Sequence, residues 1–302
     1  MAVEACIMQL IVDVVFKKTC LVIVFLFIFG CNGDKGIYTP LGEKKAEDKD
    51  RLVLGIMPSL PPTKLFTKFQ PLADYLTKTT GKVVTISTAP NFQEYLVRLQ
   101  NGEYELILPN PYQYVLVSRA PGYTPLAKVS GIPFKGLIVV RKDSGINDIS
   151  GLKGKKIAYP DPSALAATMQ VRAFLKRNGI VPERDTKESY AASQDSVIFS
   201  VHQRLFDAAG TWPETLDRIP KDTRKELKIL AETETLPHRP IAVRADISQE
   251  TALKVKNSLI GMADDPEGQK VLASVGYKGF DDTSDREYDK VREWAGKNGY
   301  PF

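Results

Sequence analysis

Cysteine and histidine are scarce in this sequence: its 302 residues include three cysteines and two histidines. All three cysteines (Cys6, Cys20 and Cys31) lie in the first 31 residues, so the rest of the chain has no thiol. A Cys/His zinc site needs three or four clustered ligands, and His202 and His238 alone cannot provide them. The same count excludes iron–sulfur clusters, disulfides within the body and cysteine-nucleophile chemistry, and a Ser/His/Asp hydrolase would have to use one of two histidines. The G-x-S-x-G and H-E-x-x-H motifs are missing too. Clustered basic blocks are absent, and a net charge of +5 is mild for this length, so a nucleic-acid partner is not expected. What remains is an ordinary globular composition, 43% hydrophobic and 25% charged, in a chain long enough for two packed lobes.

The amino terminus reads as an address. Residues 20–30, CLVIVFLFIFG, carry no charge and follow Lys17-Lys18. A membrane span needs about 20 apolar residues, so this shorter core with a basic front edge fits a signal peptide over 1–30 better than a permanent anchor. The tetrapeptide Ile28-Phe29-Gly30-Cys31 resembles the lipobox of bacterial lipoproteins, which implies lipidation of Cys31 as the first mature residue. Glu4 and Asp13 are unusual ahead of such a core and point to a translation start downstream of Met1. Residues 31–50 are polar and charged, with almost nothing to bury, as in a flexible tether.

From Arg51 onward, short apolar runs alternate with longer periodic segments: Leu52–Ile56 then Thr63–Thr79, Val83–Ser87 then Phe92–Gln100, Tyr104–Leu108 then Tyr112–Arg119. Leu65, Phe66, Phe69, Leu72 and Leu76 follow a 3.6-residue period, which predicts a helix with one face on a core. A second series runs from Lys156–Tyr159 to Glu214–Ile219. This pattern predicts an α/β protein of two lobes, each a mixed, mostly parallel sheet flanked by helices. The runs Leu137-Ile-Val-Val-Arg141 and Pro240-Ile-Ala-Val-Arg244 are alike, and they are read as the two hinge strands. Lobe 1 is then expected over 51–139 and 241–302, lobe 2 over 140–240, and everything after Arg244 is expected to be helical.

In such sheets ligands gather beyond the carboxyl ends of strands, where loops lead into helix N-termini. The sharpest junction is Ala158-Tyr159-Pro160-Asp161-Pro162-Ser163, where Asp161 or Ser163 can cap the next helix. Others are Ala192-Ser193-Gln194-Asp195, Gly210-Thr211-Trp212-Pro213-Glu214, Ala89-Pro90-Asn91-Phe92 and Pro109-Asn110-Pro111-Tyr112. These mix aromatic faces with amide donors and are read as facing one cleft. Asp264-Asp265-Pro266-Glu267 reads as a helix boundary, not a calcium loop.

On these residues the chain resembles the substrate-binding proteins of phosphate/phosphonate-type ABC importers, which have the two-lobed type II periplasmic-binding-protein fold. The family's Asp-Pro-x-Ser-x-Ser-Gly motif falls on Asp161–Ala167, its His-Asp/Glu pair on Gln194-Asp195, and its Asp-Ala-Gly and Glu-x-Leu-Asp runs on Asp207–Gly210 and Glu214–Asp217. Its ligand-facing aromatic positions fall on Phe92 and Phe134. The departures are chemical: both motif serines are Ala164 and Ala166, the histidine is Gln194, and an acid that can meet a ligand amine is Arg239. Losing hydroxyl donors weakens the hold on a tetrahedral oxyanion, and replacing an acid by Arg239 shifts preference from ammonium toward carboxylate or another anion.

The resemblance implies a lipid-anchored solute-binding protein, not an enzyme and without a cofactor or metal. It would bind a small anion through Phe92, Asn110, Phe134, Ser163, Gln194, Trp212, Glu214 and Arg239 and pass it to an ABC permease. Its ties to the membrane would be Cys31 and that permease. The alternative role is presentation of the ligand to a membrane sensor kinase or chemoreceptor.

Overall fold

Strand and helix alternate through the body as the apolar periodicity requires. The computed structural model describes residues 50–191 and 193–302. The expected leader, Cys31 and the tether up to residue 49 lie outside the described residues.

The chain opens with β1 (Arg51–Ile56), α1 (Pro62–Thr80), β2 (Val83–Ser87), α2 (Phe92–Gln100), β3 (Leu106–Leu108), α3 (Pro111–Val117) and β4 (Tyr123–Ser130). It then builds β5 (Leu137–Arg141), β6 (Lys156–Tyr159), β7 (Lys187–Tyr190), β8 (Ala208–Thr211) and β9 (Leu227–Glu232), and returns through β10 (Pro240–Arg244) and β11 (Gly279–Asp282). Two sheets result, ordered β11-β4-β10-β3-β1-β2 and β7-β6-β8-β5-β9. Parallel pairing is confined to β2-β1-β3 and β7-β6-β8, whose crossovers carry helices, while the strands next to each crossing pair antiparallel.

Helix α1 starts with Pro62 in its first turn and stops at Gly81, whose left-handed φ of 71° lets its N–H return to the Thr77 carbonyl. Leu65, Phe69, Leu72 and Leu76 are buried against the first sheet together with Leu54, Ile56, Leu106 and Ile241. Each such side chain contributes roughly 1.5–3 kcal/mol. Phe66, expected on the same face, is 39% exposed because it lies about one-quarter turn away from that stripe.

Three differences from the sequence reading concern strands. The run Leu137–Arg141 lies wholly in the second sheet and Pro240–Arg244 wholly in the first, so the crossings are the segments before them, tied by a bridge between Phe134 and Leu236. The chain is not helical throughout after Arg244: β11 closes the edge of the first sheet, and with one buried ring, Phe280, it offers no alternation to detect. Strand β4 contains Pro125, which is tolerated where the β4–β10 register shifts between Ile241 and Ala242.

Candidate functional site

Both lobes send loops and helix starts to one place between the sheets. A single apolar cluster joins Phe92 and Tyr95 of the first lobe to Ala164–Ala167 and Trp212 of the second, so the facing surfaces are packed against each other. Within it lies a cavity of about 20 Å³, roughly the space of one water. Phe92, Asn110, Phe134, Gln194, Trp212 and Arg239 all line it, with Ala164–Ala167.

Each residue is positioned by local chemistry. Phe92 opens α2, whose cap is Asn91, the Asn91 side chain accepting from Glu94 N. Asn110 caps α3 in a reciprocal box with Gln113, and its Nδ2 donates across the cleft to the Ser163 carbonyl at 3.2 Å. Gln194 begins the helix Gln194–His202, which Ser193 caps through the Ser196 N–H. Trp212 sits where β8 ends, just before Pro213, and its ring meets Phe134 edge-on at 5.7 Å.

The expected cap at Asp161–Ser163 is a different structure. Asp161 Oδ1 accepts from both Ser163 N and Ser163 Oγ, so the Ser163 hydroxyl turns back on its own loop and does not line the cavity. A π-helical turn, Leu165–Gln170, begins after Ala164 without a side-chain cap. The first N–H groups of such a turn have no acceptor within it, and the turn's opening residues, Ala164–Ala167, line the cavity. Two glycines make the close approach possible: a Cβ on Gly136 would meet the Ala166 carbonyl at 2.3 Å, and one on Gly210 the Ala167 carbonyl at 2.1 Å.

Glu214 also lies off the cavity wall and has a different role from the expected one. Its Oε2 accepts from Arg239 Nη2 at 2.7 Å and its Oε1 from Lys68 Nζ at 2.8 Å. Arg239 Nη2 donates as well to the Tyr277 hydroxyl at 2.7 Å, and its guanidinium lies 4.8 Å from the Trp212 ring centre. The Arg239 charge therefore does not stand free for a ligand, as the sequence reading had it; it is buried against a carboxylate. Burial pushes the Glu214 carboxyl up, but Arg239 and Lys68 outweigh it and hold it below the ordinary range. Burial lowers the Lys68 ammonium, partly offset by Glu214.

Several buried polar atoms here have no protein partner: Trp212 Nε1, Arg239 Nε and Gln194 Oε1, on residues 4%, 2% and 4% exposed. An unsatisfied buried group costs about 1–3 kcal/mol, so three around one cavity are the physical mark of a place that receives a polar molecule. Two are N–H donors, one of them on a guanidinium, and they suit an anion; Gln194 Oε1 is an acceptor and suits a hydroxyl of the same ligand. Lys68 and Tyr277 were missed by the sequence reading; Lys68 lay on a face read only for its apolar stripe, and no spacing signal linked it to Glu214. His238 stacks edge-on against Phe134 at 5.3 Å without lining the cavity, and His202 ends its helix 3.4 Å from Glu226.

Two α/β lobes joined by two crossings, with unpartnered polar groups on residues lining a cavity between them, are the architecture of the type II periplasmic-binding-protein fold. The sequence profile described as "ABC transporter, phosphonate, periplasmic substrate-binding protein" matches residues 54–288, and the chain belongs to that family. It is thus a substrate-binding component of an ABC transporter and not an enzyme. A phosphonates-binding periplasmic protein of Escherichia coli K12 is 23% identical over 269 residues, covering 85% of this chain and 80% of that one. Among solved structures, a PhnD1 protein of Prochlorococcus marinus in complex with methylphosphonate superposes with a TM-score of 0.77 at 15% identity, covering 84% of this chain and 100% of that one. A binding protein component of an ABC phosphonate transporter from Pseudomonas aeruginosa gives 0.76 at 17%, covering 83% and 87%. At these identities the superpositions speak for the fold alone.

Proposed function

We propose that the protein captures a small oxyanion, phosphonate-like or phosphate-like, in the interlobe cavity and delivers it to the permease of an ABC importer. The observation that carries this reading is the pair of unpartnered N–H donors at Trp212 and Arg239 on residues that line one cavity with the start of the Leu165–Gln170 turn. The cavity volume is below that of any such ligand, so binding parts the lobes before they close again on the anion, a hinge motion between the two crossings. Phe92, Phe134 and Trp212 would wall in the ligand's substituent, with Asn110 and Gln194 at its polar end.

The test is a thermal-shift series on the full chain with phosphate, phosphite, methylphosphonate, alkylsulfonates and small carboxylates. A ligand at 100 times its Kd adds about 2.7 kcal/mol of stability. A shift with the phosphorus oxyanions supports the reading; no shift with any of them rejects it. Membrane attachment through Cys31, after loss of residues 1–30 and with 31–50 as tether, belongs to the same proposal. Cys31→Ser should then release the protein from membranes, and unchanged membrane association would count against it.

A further inference from the structure

The cavity and its surroundings carry an unequal charge count. Two cations, Lys68 and Arg239, share one carboxylate, Glu214. The three form a wall: Arg239 lines the buried cavity, while Lys68 lines an open groove of about 680 Å³ on the other side of Glu214. Glu214 has both oxygens engaged, each by a cation, and its side chain is 9% exposed. No carboxylate lines the cavity among the described residues. An oxyanion entering it meets N–H donors and one excess positive charge. An ammonium entering it meets the guanidinium of Arg239, apolar rings and a single neutral acceptor, Gln194 Oε1, with no carboxylate to take its charge. Like charges brought together at a desolvated interface repel strongly, and this is how a site refuses a wrong ligand.

We propose that Lys68, Glu214 and Arg239 act together as the specificity element of this site, with Glu214 as an internal counter-ion, so that the cavity accepts compact oxyanions with an uncharged substituent and refuses those bearing an ammonium group. The proposal rests on the oxyanion-binding reading above. It departs from a bidentate Arg239–ligand ion pair, because Nη2 is already committed to Glu214 and Tyr277 and the Nε–H is the guanidinium donor left buried without a partner. Arg239 selects by repulsion more than by attraction.

The experiment is calorimetric titration of the full chain in detergent with methylphosphonate, propylphosphonate and 2-aminoethylphosphonate, the last two nearly equal in size and differing by a charge. The expected result is binding of methyl- and propylphosphonate, with 2-aminoethylphosphonate at least 100-fold weaker than propylphosphonate. Arg239→Met, which removes the charge and leaves an oxygen of Glu214 unpaired, should narrow that ratio at least tenfold. Lys68→Met, at a partly exposed position, lowers the local charge by one and should narrow it as well, which keeps the test alive if the Arg239 variant does not fold. Equal binding of the two ligands, or rejection of both while methylphosphonate binds, overturns the proposal, since size alone would then decide. A ratio unchanged in Lys68→Met and in a folded Arg239→Met overturns the assignment to these residues. If none of the three binds while phosphate or phosphite does, this inference falls and the oxyanion reading stands; if phosphate and phosphite fail as well, the oxyanion reading falls with it.

Discussion

His238 Nδ1 accepts the backbone N–H of Arg239 at 2.8 Å. The proton of the neutral ring is therefore on Nε2, buried and without a partner. Tyr288 donates to the His238 carbonyl at 2.9 Å, so this short stretch of the return crossing is fixed from both sides before Arg239 meets Glu214. Burial, reinforced by the Arg239 and Lys128 charges, pushes the imidazole pKa well below its usual value.

This sets a pH dependence. The unfolded chain takes up a proton on His238 near pH 6.5, whereas the folded chain does not. Below that pH the unfolded state binds more protons, so stability is complete above about 6.5 and falls by about 1.4 kcal/mol per pH unit beneath it. Thermal melts between pH 7 and pH 5 should show this slope, and His238→Asn, whose amide oxygen can replace Nδ1 as acceptor, should be less stable at pH 7 but lose most of the slope. An unchanged slope in the variant would place the proton uptake elsewhere.

Glu214→Gln should be among the most destabilising single changes in the protein. It leaves Lys68 and Arg239 near each other with no countercharge, and breaking a buried pair on one side costs about 3–5 kcal/mol. The denaturant midpoint should fall accordingly at pH 7. Because the carboxyl is held below the ordinary range, the wild-type advantage over the variant is present above about pH 4.3 and fades as acidification protonates Glu214. A variant as stable as wild type at pH 7 would mean that the pair stabilises nothing net.

Much of this site is legible in the sequence because it is made of junctions. Strand ends followed by Asn, Ser or Pro mark helix starts by local chemistry, and Phe92, Asn110, Gln194 and Trp212 lie at such starts. Long-range partners are not legible in this way. Lys68 is 146 positions from Glu214, and Tyr277 is 38 from Arg239, so neither pairing leaves a spacing signal. The charge of Arg239 was visible but its neutralisation was not. Ser163 failed as a site residue for a local reason, since an adjacent Asp161 captures its hydroxyl more readily than a distant ligand can.

Trp212→Phe isolates one donor. The phenyl ring keeps most of the packing against Phe134 and the stacking under Arg239, but the Nε1–H is lost. A hydrogen bond to an anion is worth about 1.5–3 kcal/mol, so affinity for the bound oxyanion should drop by roughly 10- to 100-fold with little change in the unliganded melting temperature. A loss under threefold would mean that the indole N–H does not touch the ligand.

Gly210 offers a test of how the site is built. Strand β8 carries Gly210 opposite Ile138 of β5, and Gly136 lies just ahead of β5, so both glycines lie under the turn that starts at Leu165. A methyl group on Gly210 would come 2.1 Å from the Ala167 carbonyl and 2.6 Å from the Tyr159 ring, and Tyr159 is wholly buried and cannot yield. The turn itself must then shift, taking with it the residues Ala164–Ala167 that line the cavity. Gly210→Ala should thus lower stability by about 1–3 kcal/mol, as overpacking does, and also weaken oxyanion binding. Gly261→Ala is the matched control: its Cβ meets nothing within 4 Å and its φ of −75° is ordinary, so it should leave binding alone and add a few tenths of a kcal/mol, up to about 1, to stability. If Gly210→Ala loses stability but binds as tightly as the control, the backbone of Ala164–Ala167 is scaffold and not a ligand contact.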